Sequence, residues 1–298
     1  MELVDFAQQL TRQVGQAIVG KEDAVLWCLT AILARGHILL EDIPGVGKTT
    51  LAAALAKALG MALGRVQFTS DVLPADVVGY CMPEKGEMVY KKGPVMCNLF
   101  LADELNRATS RTQSALLEAM EENQVTVDGV SRGLPQPFAV IATQNPMDAA
   151  GTQPLPDNLL DRFAVGLRLG YPPKAEEMQL GLRHAGTVGQ VITPEELMKM
   201  QKTVADTYMK ETVAEYAVKL MATTRKSPFI LRGGSPRATR SVMALSKARA
   251  RLQGRDFVIP EDVQAAFLRG VSHRILARGA PETCLRRITR WVRTPKLK

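Results

Sequence analysis

A glycine-rich loop between an apolar run and an alanine-rich segment constrains this chain more than any other feature. The stretch "HILLEDIPGVGKTTLAAAL" covers residues 37–55. The run HILLE is too short for a helix and is typical of a buried strand, and the pattern predicts a helix over residues 48–59. A strand that leads through such a loop into a helix points free backbone N–H groups at an anion, and the helix dipole adds to their effect. The local pattern therefore predicts a phosphate-binding loop.

The residue types in this loop are those of a Walker A nucleotide-binding motif, with one departure. Lys48 would reach the β- and γ-phosphates, and the Thr49 hydroxyl would bind Mg²⁺. The usual pattern has glycine six places before the lysine, where this chain has Asp42. Asp tolerates turn dihedrals well, so we expect a working site; the alternative is a plain Gly-Pro turn. The loop residues predicted to bind the nucleotide are Pro44, Gly45, Val46, Gly47, Lys48, Thr49 and Thr50.

Polar residues end two further apolar strands. "NLFLADE" places Asp103 and Glu104 at the carboxyl end of a strand, where open α/β sheets bind ligands. Asp103 would hold Mg²⁺, and Glu104 would activate a water for in-line attack. The alternative is that both acids only cap the following helix. Ser110 and Gln113 also form a capping-box pattern at the start of a helix there. "FAVIATQNP" ends in Asn145, whose amide would hold the water or the γ-phosphate, unless it only starts an Asn-Pro turn.

Composition excludes several classes of protein and leaves one question open. The chain has 298 residues, 46% of them apolar, which is ample for a globular core. Its four cysteines and three histidines are scattered, so neither a disulfide framework nor a zinc site is predicted. Residues 1–170 hold 14 Lys and Arg against 19 Asp and Glu, a net of −5, whereas residues 171–298 hold 24 against 11, a net of +13. The basic half is either a solvated or subunit-facing surface or a nucleic-acid patch.

Hydropathy and the first residues bear on location. The longest apolar candidate, "AVLWCLTAILA", is well short of the roughly 18 residues of a membrane helix. The first residues, "MELVDFAQQLTRQ", carry acids early and lack the basic-then-apolar layout of a signal peptide. We therefore expect a cytoplasmic protein without a membrane span.

Six segments in a fixed order resemble the MoxR family of AAA+ ATPases, within the helix-2-insert clade that includes magnesium chelatase and the minichromosome maintenance helicases. They are LLEDIPGVGKTTLA, FTSDVLPADVVG, the long stretch from GPVMCNLFLADE to QVTVDG, FAVIATQNP, LPDNLLDRF and GGSPRA. The resemblance covers residues 14–261 and includes the aspartate in the glycine loop.

The resemblance implies a fold and a division of the chain. The expected core, residues 1–171, is a three-layer α/β/α unit with a parallel sheet of strand order 5-1-4-3-2. It would carry the helix-2 insert at about 73–95 and a hairpin at about 124–134. Residues 172–298 would form an all-helical lid.

The resemblance also implies roles for single residues. Asn145 matches sensor 1, Arg162 matches the arginine finger that reaches a neighbour's γ-phosphate, and Arg237 matches sensor 2 on the lid. Val19 and Gly20 resemble the loop beside the adenine. The sequence alone leaves three alternatives open: Arg162 pairs with Asp161 or Asp157, Arg107 is the finger, or Arg237 only adds to the basic lid surface.

The implied activity is Mg²⁺-dependent hydrolysis of ATP to ADP and phosphate at subunit interfaces of a homo-oligomeric ring, expected to be a hexamer. ATP would lie between the sheet domain and the lid. The energy would drive chaperone-like remodelling or maturation of client proteins, including metal insertion, with a von Willebrand factor A domain protein as partner. The alternatives are a nucleic-acid-associated motor that uses the basic half, and a switch that binds a partner with negligible turnover.

Overall fold

As far as residue 167, a helix lies between each two successive strands of the main sheet, as the pattern predicts for a helix-covered parallel sheet. The computed structural model describes residues 2–43, 45–145, 152–171, 174, 177–178 and 186–296. The elements of the first part are α1 (Leu3–Val14), α2 (Glu22–Leu33), β1 (His37–Glu41), α3 (Lys48–Ala58), β2 (Leu63–Gln67), α4 (Pro74–Val78), β3 (Gly79–Glu84), β4 (Glu87–Lys92), β5 (Leu99–Asp103), α5 (Ser110–Glu122), β6 (Gln124–Val127), β7 (Val130–Gly133), β8 (Ala139–Gln144), α6 (Asp157–Leu160) and β9 (Phe163–Leu167).

Five strands form one parallel sheet in the order β2-β5-β8-β1-β9. Counted along the sheet-forming strands alone, this is the order 5-1-4-3-2, so the predicted fold is confirmed. The carboxyl ends of β1, β5 and β8 meet at one edge, since Leu40 pairs with Thr143 and Ala102 pairs with Ala142. That edge is where the sequence predicted the nucleotide.

Alternate residues of the sheet pack into two separate apolar clusters. Ile38, Leu40 and Leu101 join a cluster with α1, α2, α3 and the C-terminal helices. Leu39 and Phe100 join a second cluster with α5 on the other face. Strands buried on both faces are a continuous apolar run in sequence, and covering both faces produces the three layers.

Two hairpins project from the core. Strands β3 and β4 pair antiparallel, as do β6 and β7. The Arg132 guanidinium of β7 lies 4.2 Å from the ring centre of Tyr90 on β4, so a cation–π contact connects the two hairpins. Helix α5 begins at Ser110 but is capped by the Thr109 hydroxyl, not by the predicted Ser110.

The C-terminal part is helical, as predicted, apart from one small ribbon of two strands. Helix α9 (Pro236–Leu252) packs on α10 (Pro260–Val271), and α10 packs on β9, so this part shares a continuous apolar cluster with the core. The boundary predicted at 171/172 adjoins residues outside the described ranges. The elements are α7 (Pro194–Ala205), α8 (Glu211–Lys226), β10 (Ile230–Arg232), α9 (Pro236–Leu252), α10 (Pro260–Val271), β11 (Leu276–Ala277) and α11 (Pro281–Trp291).

Candidate functional site

The phosphate loop adopts the backbone shape that its glycines permit. Gly45 and Gly47 have φ angles of +83° and +91°, a region that residues with a Cβ rarely adopt. Gly47 directly precedes α3, which begins at Lys48. The free N–H groups of this first turn therefore face the open end of the loop. Pro44, also predicted to bind, lies outside the described residues.

Asp42, the departure from the usual motif, holds the beginning of the loop in place. Its carboxylate accepts hydrogen bonds from the Ile43 N–H at 2.9 Å and the Gly170 N–H at 2.5 Å. The Lys48 ammonium donates to the Asp42 carbonyl oxygen at 2.6 Å. A glycine at this position would lack the first two bonds, so Asp42 connects the loop to the segment that follows β9.

Asp103 is the centre of a hydrogen-bond network at the carboxyl edge. One carboxylate oxygen, Oδ2, accepts from the Thr49 hydroxyl at 3.2 Å and from the Arg65 guanidinium at 2.9 Å. The other, Oδ1, accepts from the Thr143 hydroxyl at 2.6 Å, and that hydroxyl accepts from the Glu104 N–H at 2.9 Å. Three strands and α3 thus fix one buried carboxylate beside the phosphate loop.

Glu104 follows Asp103 in a left-handed conformation, with φ at 56° and ψ at 46°. A glutamate seldom adopts this region, and such conformations cluster at functional sites. The turn directs its carboxylate to Arg107, whose guanidinium lies 3.1 Å from Oε2. Glu104 makes no side-chain cap of the next helical turn, so the capping alternative is wrong for Glu104. Arg107 lies at the nucleotide edge of its own chain.

A cavity of about 300 Å³ brings the predicted residues together. Its lining consists of Gly45, Gly47, Lys48, Thr49, Thr50, Asp103, Glu104 and Asn145. Burial lowers the pKa of Lys48, and the nearby carboxylates of Asp42, Asp103 and Glu104 oppose that shift. The segment predicted to lie beside the adenine also adjoins the loop. A Cβ added to Gly47 would lie 3.0 Å from the Ile18 side chain, and Ile18 directly precedes Val19 and Gly20.

The donor set at this cavity fits magnesium held together with a nucleotide. Thr49 and Asp103 offer one hydroxyl and one carboxylate, and Mg²⁺ usually takes one or two carboxylates with substrate phosphates and water. Among the described residues, no group of three or more His, Cys, Asp or Glu side chains is placed to hold a metal by itself. The site thus resembles a metal–phosphate site more than a dedicated metal cage.

Arg162 and Arg237 lie together, but at the other edge of the sheet. Arg162 directly precedes Phe163, which pairs with His37 at the start of β1, whereas the phosphate loop follows the end of β1. The five residues of β1 alone separate these edges by about 13 Å. Both guanidiniums bond to the Glu121 carboxylate, Arg237 at 2.7 Å.

This placement corrects two sequence-based expectations. The Arg237 side chain does not line the Lys48 cavity of its own chain, where the expected position of ATP between sheet domain and lid would put it. Arg162 pairs with Glu121, and not with Asp161 or Asp157 as the alternative had it. Asp161 instead accepts from the Ser235 hydroxyl at 2.8 Å, while Arg274 donates to the Asp161 backbone carbonyl at 2.9 Å, which ties the lid to the turn before Arg162.

Sequence reasoning missed three residues of these two sites. Thr143 and Arg65 both bond to Asp103, and Glu121 bonds to the two arginines. Thr143 had a usable signal, since it immediately precedes the polar end of a strand adjacent to the Asp103 strand. Arg65 and Glu121 had none, because only the assembled sheet brings them to their partners.

Comparison with known proteins agrees with the geometry. Residues 37–165 match the ATPase family associated with various cellular activities (AAA), and residues 222–287 match the AAA lid domain. The chain is 44% identical to the YeaC protein of Bacillus subtilis, over 88% of this chain and 84% of that protein. It is 34% identical to Chaperone MoxR1 of Mycobacterium tuberculosis, over 96% of this chain and 81% of that protein.

A solved structure extends the likeness to three dimensions. The crystal structure of a protein from Cytophaga hutchinsonii superimposes with a TM-score of 0.91 at 32% identity, covering 99% of this chain and 96% of that one. Sequence, family and fold therefore agree over nearly the full length. The chain belongs to the MoxR family of AAA+ ATPases.

Proposed function

We propose that this chain hydrolyses ATP at the interface between neighbouring copies in a closed ring, most simply a hexamer. The observation that carries the proposal is the division of the machinery within one chain. The cavity at Lys48 lies at one edge of the sheet, and the paired Arg162 and Arg237 lie at the other. A head-to-tail contact would join the two edges of successive copies, and such contacts close into rings when the rotation allows it.

Each side chain has a defined task in this proposal. Lys48 and the loop N–H groups bind the phosphates, and Thr49 and Asp103 hold Mg²⁺, which neutralises charge on the phosphate oxygens. Glu104 accepts the proton of the attacking water, and the Asn145 amide orients that water. The planar, permanently charged guanidiniums of the next copy stabilise charge on the transferring phosphoryl group.

Losing the terminal phosphate removes the ligand of Arg162, Arg237 and Asn145 together. The neighbouring copy then shifts as a rigid body, because its contacts with the nucleotide differ between the two states. Asp161 connects Arg162 to the lid, so the lid moves with the arginines. We propose that this motion remodels client proteins, in line with the chaperone name of one relative. A von Willebrand factor A domain partner and metal insertion remain predictions from the family resemblance.

Two variants test the nucleotide site. Lys48→Ala should abolish ATP binding in a titration with a fluorescent ATP analogue, because it removes the charge that holds the phosphates. Lys57→Ala, on the exposed side of the same helix, is the matched control. Glu104→Gln should bind ATP yet lose turnover, since the Mg²⁺ ligands stay and the base is lost. Micromolar ATP affinity in Lys48→Ala, or wild-type turnover in Glu104→Gln, would refute these assignments.

The basic C-terminal half suggested a nucleic-acid motor as the alternative function. Part of that charge is used inside the chain: Arg255 contacts Asp262 at 2.7 Å and Arg269 contacts Asp23 at 2.8 Å. Turnover measured with and without single-stranded DNA at two salt concentrations separates the nucleic-acid motor from the proposed function, since nucleic-acid binding weakens steeply with salt.

Among the described residues, no helix has the length and apolarity that crossing a membrane requires.

A further inference from the structure

A second cavity, of about 470 Å³, lies at the amino edge of the sheet and is rich in arginine. Four guanidiniums line it, from Arg35, Arg162, Arg237 and Arg240, together with a single carboxylate, that of Glu121. Arg240 lies one helical turn after Arg237 on α9. Within the part of the chain that the structure describes, Arg35 and Arg240 have no ion pair. Four cations against one anion leave the cavity with a surplus of positive charge.

Glu121 holds the two central arginines side by side. It lies in the last turn of α5, where its Oε1 accepts from Arg237 at 2.7 Å and its Oε2 accepts from Arg162. The arrangement is fixed by the sheet, because the preceding residue, Met120, accepts a 2.9 Å hydrogen bond from His37 at the start of β1. Without an anion between them, the two guanidiniums would repel each other.

The Arg162 guanidinium is prepared for a further acceptor. Its side chain is only 16% exposed, and its Nε is buried without a hydrogen-bond partner among the described residues. A buried donor without a partner is costly, so a ligand with several oxygens would gain by satisfying it. A phosphate group has three such oxygens and more charge than one carboxylate, and guanidiniums bind both groups in the same planar geometry.

We propose that Glu121 occupies the position of the neighbouring copy's terminal phosphate and competes with that phosphate for Arg162 and Arg237. The inference rests on the proposed function, in which Arg162 and Arg237 act on the next copy's nucleotide. A triphosphate displaces the carboxylate because it carries more charge and reaches the arginines. A diphosphate ends one phosphate short, so Glu121 keeps both arginines.

Glu121 can leave the two arginines without burying its charge. Its side chain is 43% exposed, so it can rotate into water when the phosphate arrives. Hydrogen bonds from the arginines, Arg162 foremost, lower the pKa of Glu121, so it carries its charge at neutral pH. Arg35 and Arg240 then supply positive charge for the remaining phosphate oxygens.

The test is self-association of the full chain by sedimentation velocity, with MgATP or MgADP. A Glu104→Gln background keeps ATP intact. Glu121→Gln should strengthen association with MgATP about threefold to tenfold, the range that two partly exposed ion pairs support, because the phosphate no longer has to displace a carboxylate. Association with MgADP should stay unchanged, since a diphosphate does not reach the arginines. Glu122→Gln, the next acid on the same helix, is the matched control and should associate as the wild type does with both nucleotides. Thermal melting confirms that each variant is folded.

The possible outcomes separate this inference from the proposed function. If Arg162→Ala and Arg237→Ala weaken ATP-dependent association but Glu121→Gln associates with MgATP as the wild type does, only the role of Glu121 is refuted. Loss of association in Glu121→Gln with both nucleotides would also refute it, since Glu121 would then be needed to support the arginines. If the two arginine variants associate and hydrolyse as the wild type does, the shared interface site itself is refuted.

Discussion

Arg162 and Arg237 occupy one face of the chain, and mixing inactive variants tests that placement directly. A finger supplied by a neighbour contributes roughly 10³ to 10⁵ in rate in related phosphoryl-transfer enzymes, so Arg162→Ala, Arg237→Ala and Glu104→Gln should each form nearly inactive rings. Glu104 lies at the opposite edge from both arginines. An equal mixture of Glu104→Gln with either arginine variant therefore forms some interfaces in which every group is intact.

The expected recovery follows from random mixing. An intact interface needs an unmutated Glu104 from one copy and unmutated arginines from the next, each present in half of the copies. If interfaces act independently, about a quarter of them are intact, and turnover per chain should return to about a quarter of the wild-type value. A coupled-enzyme ATPase assay on mixtures refolded or exchanged to equilibrium measures this.

The mixture of Arg162→Ala with Arg237→Ala distinguishes the two possible positions of Arg237. Both changes damage the same face, so no interface in this mixture is intact, and turnover should stay at the level of the single variants. If Arg237 served its own chain's nucleotide instead, about a quarter of the sites would be complete and activity would return. Recovery in this mixture, or none in the mixtures with Glu104→Gln, would refute the proposed arrangement of the two edges.

Two further predictions concern stability. A Cβ at Gly64 would lie 2.0 Å from the Pro94 carbonyl oxygen, so Gly64→Ala should destabilise the fold by about 2 kcal/mol or more. Gly133, on another strand, is the control: a Cβ there would have no atom within 4 Å, so Gly133→Ala should be close to neutral. Thermal melting of both variants measures the difference. Burial lowers the pKa of His37 to about 4 and that of His273 to about 3. Between pH 6.5 and about pH 4 the unfolded chain therefore binds more protons than the folded chain, and the free energy of unfolding decreases as the pH falls through this range. His37→Gln should make that loss smaller by about 2 kcal/mol between pH 7 and pH 5 in urea unfolding, and an unchanged pH dependence would show that burial of His37 is not its cause.

Much of the nucleotide edge could be predicted because its signals are local. Gly45 and Gly47 need conformations that other residues avoid, and Lys48 must follow them at the start of a helix. Asp103 and Asn145 end apolar strands, and parallel strands bring their carboxyl ends to one edge. The sequence therefore determined the phosphate loop, the acids beside it and the parallel sheet that joins them.

The sequence pattern could not place the N-terminal cap of α5 to within one residue. The sequence offered Ser110 as the cap of α5, and the structure uses Thr109, the adjacent hydroxyl. Thr109 accepts the Thr112 N–H, whereas Ser110 in the predicted capping box would accept the Gln113 N–H, so the residue at which the helix starts decides between them.

Only the tertiary structure decided where Arg162 and Arg237 lie relative to the Lys48 cavity. Arg162 and Arg237 are 75 residues apart in sequence, and their motifs carry no information on distance from Lys48. Packing of α10 on β9, with the bonds at Asp161, carries the lid to the amino edge of the sheet and sets Arg237 beside Arg162 on Glu121. Such contacts depend on long-range burial and charge pairing, which a linear pattern does not contain.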